Sequence, residues 1–93
     1  MIYRYLVNKE ADNLLFQAAV ENVRRVFPSL KQKEPLIDVD GSIVTVFNDD
    51  AVTISVTNDY YTDFVYIDSN ISLDTLGYPF WENVEEKSQG DSQ

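Results

Sequence analysis

The residues able to do chemistry in this chain are carboxylates and tyrosines, because histidine and cysteine are both absent. Their absence removes Ser-His-Asp and Cys-His nucleophilic catalysis, thiol redox chemistry and the common zinc sites. It also removes disulfides, so 93 residues must be held by packing alone. Adjacent carboxylates, Asp49 and Asp50, invite an acid–base reading of the kind used in glycoside hydrolysis. Their neighbours, Asn48 and Ala51, read instead as a turn, where aspartate is favoured for backbone reasons. The segment DVDGS at residues 38–42 invites a calcium reading. An EF-hand loop with Gly41 at its sixth position would need an acid at Leu36 and a bidentate glutamate at Phe47, and both are apolar. A hairpin turn at Asp40-Gly41 takes the residues as they stand. No enzyme, cofactor or dedicated metal site is therefore expected.

What remains is an uneven charge field. The first 35 residues carry six basic and four acidic groups, a net of +2. The other 58 carry twelve acidic groups and a single cation, Lys87, a net of −11. Such a field bears on partners and solubility rather than on fold. It disfavours direct contact with nucleic-acid phosphate and with anionic lipid. Carboxylates on a rigid frame can instead imitate phosphates and occupy a basic groove, which is nucleic-acid binding with the signs reversed.

The candidate partner-binding residues are Asp38, Asp40, Asp49, Asp50, Asp59, Asp63 and Asp68, with Tyr60 and Tyr61 as aromatic anchors. Asp40 and Asp59 are expected in turns at one end of a sheet. Asp49 and Asp50 are expected at the other, with Asp68 nearby. The expected function is a small acidic binding protein that meets a protein with a basic surface. Its sharpest form is an inhibitor of a basic nucleic-acid-binding protein or nuclease, acting as a DNA mimic of the phage or immunity-protein type. One alternative is an adaptor that homodimerises through an apolar sheet face. Another is a weak divalent-cation binder.

The elements that must position these groups follow from periodicity. Residues 2–7 read as a strand. Leu15, Phe16, Ala19, Val20, Val23, Val26 and Phe27 fall on one helical arc, with Asn8 as N-cap and Glu21 and Arg25 as an i,i+4 pair. Pro28 ends that helix. A polar loop, SLKQKE, leads to strands at 36–39, 43–47, 52–56 and 62–67. The register expected between the middle pair sets Phe47 opposite Val52, Thr45 opposite Ile54 and Ile43 opposite Val56.

The last strand is apolar on both faces. Val65 and Ile67 are expected beneath the helix, leaving Phe64 and Tyr66 on a second face with Val44, Val46 and Ile37. A helical turn begun by Pro79 would cover it with Phe80, Trp81 and Val84, unless a partner or a second copy does.

The fold class is thus α+β: a short N-terminal strand, one amphipathic helix on an antiparallel meander of about four strands, and a short C-terminal helical segment. Residues 1–87 are expected to form one domain and 88–93 a disordered tail. No apolar run reaches membrane-spanning length and the start lacks the features of a signal peptide, so a cytoplasmic setting is expected. In order of elements, a helix then a three-strand meander with a later Phe80-Trp81 pair, about half of the chain resembles frataxin. Frataxin-like proteins concentrate acids in the first helix and the strand after it. This helix is mixed in charge and a strand precedes it, so no family is assigned.

Overall fold

The computed structural model describes residues 2–81. It has an α+β architecture in which one helix covers one face of an antiparallel sheet. The elements run β1 (Tyr3–Asn8), α1 (Asn13–Val26), β2 (Lys31–Gln32), β3 (Leu36–Ile37), β4 (Ile43–Asn48), β5 (Thr53–Asp59) and β6 (Phe64–Ser69), followed by a 3-10 turn at Asp74–Leu76. In space the strands lie in the order β1-β6-β5-β4-β2, with β3 also pairing β4.

The expected N-terminal strand and meander are present, and β2 adds a sixth strand inside the segment read as a polar loop. β2 and β3 lie along the same edge of β4, pairing with Asn48–Phe47 and Val44–Ile43 in turn. They amount to one edge strand interrupted near Pro35, which has no N–H to give to a ladder. β3 is expected, as a longer strand at 36–39, but the two paired residues of β2 leave too little alternation to read from sequence.

Period-2 faces survive the boundary shifts from β4 to β6 but not at β3: Leu36, not the expected Ile37, lies opposite Val44 on the second face, and Ile37 lies opposite Ile43 of the helix-covered face. The observed β4–β5 pairs are Phe47–Ile54, Thr45–Val56 and Ile43–Asn58, a slip of two residues from the expected register. The cause is the turn. The Asp49 carboxylate accepts the N–H groups of Ala51 and Val52 at 2.8 Å each, and its own N–H donates to the Val52 carbonyl at 3.0 Å. This centres the turn one residue later along the chain and lets Asn48 pair with Thr53. An even slip keeps each side chain on its face. Ile54, Val56, Val65 and Ile67 therefore still meet Phe16, Ala19, Val20 and Val23 of the helix, with Phe47, Tyr5 and Leu73 completing the core. Leu15, expected on that arc, is 40% exposed and lies outside the core.

The helix begins later than expected. Asn8 belongs to β1, and its side chain donates to the Glu10 carbonyl. Asp12 is the N-cap: it is extended, and its carboxylate accepts the Leu15 N–H at 2.9 Å. Asp12→Ala is expected to cost about 0.5–2 kcal/mol, as N-cap removals do. A denaturant titration showing no loss would remove this cap from the account. The expected Glu21–Arg25 pair is not the one formed. Arg24 bonds Glu21 at 2.7 Å and reaches the side chain of Gln32 on β2, while Arg25 donates to Asn22.

The C-terminal segment also differs. Residues 79–81 are not helical but run beside β1: Leu6 N–H donates to the Pro79 carbonyl at 2.8 Å, and Trp81 N–H to the Arg4 carbonyl at 2.9 Å. In extended chain, neighbouring side chains point to opposite faces. Phe80 therefore stacks on Tyr5 at 4.9 Å and stays half-exposed, while Trp81 alone covers Phe64 and Tyr66. The helical feature of this region is instead the 3-10 turn, closed by Gly77 in the left-handed region that glycine tolerates. Val84 and the expected tail at 88–93 lie outside the described residues.

Candidate functional site

The second sheet face is built by cross-strand rows. Leu6, Tyr66, Thr57, Val44 and Leu36 form one continuous row from β1 to β3. Trp81 closes the β1 end of this face. Its ring lies 4.8 Å from Phe64 and 4.7 Å from Tyr66. Beside it, the Arg4 guanidinium sits 5.0 Å from the Tyr66 ring and 5.3 Å from the Trp81 ring. Arg4 also grips Asp68 with two hydrogen bonds, at 2.6 and 3.1 Å. The bidentate, half-shielded pair neutralises Asp68, so this carboxylate is committed inside the molecule.

The β3 end of the face is open. There a cavity of about 540 Å³ is lined by Leu36, Ile37, Val44, Thr57, Tyr61 and Tyr66, with Asp38, Asp40, Asp59 and Ser42. Two turns distant in sequence meet to form it. Residues 38–42 make the hairpin between β3 and β4, in which Gly41 N–H donates to the Asp38 carbonyl and Asp38 N–H to the Ser42 carbonyl. Gly41 has φ +91°, so the loop is a three-residue one ending on a left-handed glycine rather than the expected two-residue turn. The β5–β6 turn packs on it: Tyr60 N–H donates to Ser42 Oγ at 2.9 Å, and a Cβ at Gly41 would stand 3.6 Å from the Tyr60 ring.

The carboxylates here are held by their own backbones. Asp40 accepts the Ser42 N–H at 2.9 Å, and Asp59 accepts those of Tyr61 and Thr62. The Ser42 backbone N–H, and next its hydroxyl, hold the Asp40 carboxyl below the usual carboxylate range. A lowered value means this contribution to turn stability is complete at neutral pH and is lost only as pH falls through that value. Asp49 is lowered likewise, first by the Val52 N–H and then by that of Ala51. Burial, with the negative charge of Asp59, pushes the Tyr66 phenol above its ordinary value, so it stays neutral.

Of the residues singled out from sequence, the fold gathers Asp38, Asp40, Asp59 and Tyr61 around one cavity. Tyr60 is a neighbour that supports the hairpin. Asp63, at φ +64°, serves the other side of the sheet, where its carboxylate accepts the Ala11 N–H at 2.8 Å ahead of the helix. Asp49 and Asp50 sit far away, in a depression of about 640 Å³ shared with Lys31 and Lys33, whose charges offset theirs. Sequence reasoning missed Leu36, Ser42 and Thr57 as lining residues. The face alternation that places Val44 and Tyr66 would have found Thr57, but nothing local marks the other two.

Three carboxylates, an aromatic wall and an apolar edge can hold a cation with an apolar stem. Among the described residues no group of three or more carboxylates is placed to hold a metal ion, and no helix is long and apolar enough to cross a membrane. Compared with known proteins, the chain gives no significant match to any family model, curated protein or solved structure.

Proposed function

We propose that this chain is a non-enzymatic binding domain of the cytoplasm that captures a basic protein surface through the open end of its second sheet face. One observation carries the reading: the cavity brings together Asp38, Asp40 and Asp59 beside exposed Leu36, Ile37 and Tyr61, and among the described residues no lysine or arginine lines it. Tyrosine and aliphatic anchors ringed by like charges suit a partner with arginine or lysine among apolar residues. Many such surfaces are nucleic-acid-binding surfaces, so inhibition of a basic DNA- or RNA-binding protein is the leading form of this function.

The homodimer reading draws less support. Trp81 already covers the Phe64–Tyr66 part of the face, and a two-fold contact through the open part would set like charges together.

The test is a substitution series on the cavity. Asp38→Asn, Asp40→Asn and Asp59→Asn together keep turn propensity and remove three charges. Proteins captured from the host by the wild type and lost from this variant should be basic, and should be released by nucleic acid. Binding to such a protein, measured at low salt, is expected to weaken at least about tenfold, which is about 1.4 kcal/mol. Asp49→Asn with Asp50→Asn should change it little. Equal capture by wild type and triple variant would mean that the charge serves solubility, and the adaptor reading would replace this one.

A further inference from the structure

We propose that the outer edge of β3 is a strand-addition site, and that its occupant is an extended, basic segment of another protein. The proposal rests on the basic-partner reading above and specifies how that partner is held.

The two edges of the sheet are treated differently. The β1 edge is covered by residues 79–81, which take up backbone groups of Arg4 and Leu6. The opposite edge is β2 followed by β3, and no described residue pairs with its outer side. Its β2 half is defended in the way natural edges are, by Lys31, Lys33 and Pro35, with Arg24 bonded across to Gln32. Its β3 half has no such guard. Leu36 and Ile37 are 68% and 70% exposed, Val39 is fully exposed, and the nearby charges at Asp38, Asp40 and Asp59 are all negative.

An exposed apolar edge is a template for another strand, which gains main-chain hydrogen bonds there and specificity from alternate side chains. The alternation fits the cavity. Every second side chain of an added strand would lie on the face of Leu36, Val44 and Tyr66, within the space bounded by the three carboxylates. Lysine or arginine at those positions can lay its aliphatic stem on Leu36 and the tyrosines while its head meets the acids. Charge also decides against a second copy. Two β3 edges paired about a two-fold axis would set the same carboxylates near one another on chains of net charge −9.

The experiment uses a capped peptide of alternating lysine and valine as the probe. Its control is the same peptide with alternate backbone nitrogens methylated, which keeps side chains and charge but removes main-chain donors. Titration by protein amide spectra should place the shifts at residues 36–38 and slow hydrogen exchange there. The unmethylated peptide should bind at least about tenfold more tightly than its control. Leu36→Lys with Ile37→Lys, both at exposed positions, should fold with an otherwise unchanged spectrum and lose the same factor. Equal affinity of the methylated control, or shifts away from β3, overturns strand addition. The basic-partner reading survives that result if binding of either peptide still falls in the Asp38, Asp40 and Asp59 triple variant. If neither peptide binds in a carboxylate-dependent way, that underlying reading fails as well. Protection of residues 36–38 that grows with protein concentration, without peptide, names a second copy as the occupant and overturns the proposal.

Discussion

Trp81→Ala is expected to remove about 3–5 kcal/mol of stability, the range for truncating a buried aromatic. Small domains have only about 5–15 kcal/mol in all, so this change alone brings the chain near its unfolding threshold. The size follows from what one side chain does. Trp81 is 6% exposed, packs on Phe64 and Tyr66, and lies against the Arg4 guanidinium. Its backbone N–H also ties the C-terminal segment to β1. Without the ring, the Phe64–Tyr66 surface opens to water and the Arg4–Asp68 pair loses its shield. Trp81 is the sole tryptophan, so its emission reports the state of this cover directly. Trp81→Phe separates the ring from its N–H. The indole nitrogen is buried with no hydrogen-bond partner among the described residues, a situation that costs about 1–3 kcal/mol. The phenylalanine variant should therefore lose much less than the alanine one. A denaturant titration in which Trp81→Ala costs under about 1 kcal/mol would show that the segment is not part of the folded domain.

Ile54→Ala should cost about 2–5 kcal/mol, by lost transfer energy and by the cavity left behind. Ile54 is fully buried, on the central strand β5, opposite Phe47 on β4 and Ser69 on β6. Its neighbours on both sides belong to sheet ladders, so the hole cannot easily collapse. The same substitution at Leu36, which is 68% exposed, should change stability by no more than about 0.5 kcal/mol. A loss at Ile54 below about 0.5 kcal/mol would place that residue on the surface and reverse the two faces of the sheet.

The α+β class, the helix with its buried stripe and the division of the sheet into a covered and a second face were all legible in the sequence. Each depends on a period repeated over several residues, and repetition averages out local error. The two-residue slip between β4 and β5 changed the partners of Phe47 and Thr45 and left both on their face, because the side-chain period is two. The absence of histidine and cysteine likewise limits the chemistry from composition alone.

What only the tertiary structure decided was which of these groups share a space. Asp38, Asp40, Asp59, Asp49, Asp63 and Asp68 look alike in the chain, as aspartates in or near turns. The fold gathers the first three around one cavity, sets Asp49 among lysines, turns Asp63 toward the start of the helix and gives Asp68 to Arg4. Arg4 lies 64 residues from Asp68, and no local pattern encodes a contact at that separation. The extended run of 79–81 beside β1 has the same cause. Proline, phenylalanine and tryptophan fit a helical turn locally, and only the free edge of β1 and the aromatic surface of β6 draw them into a strand.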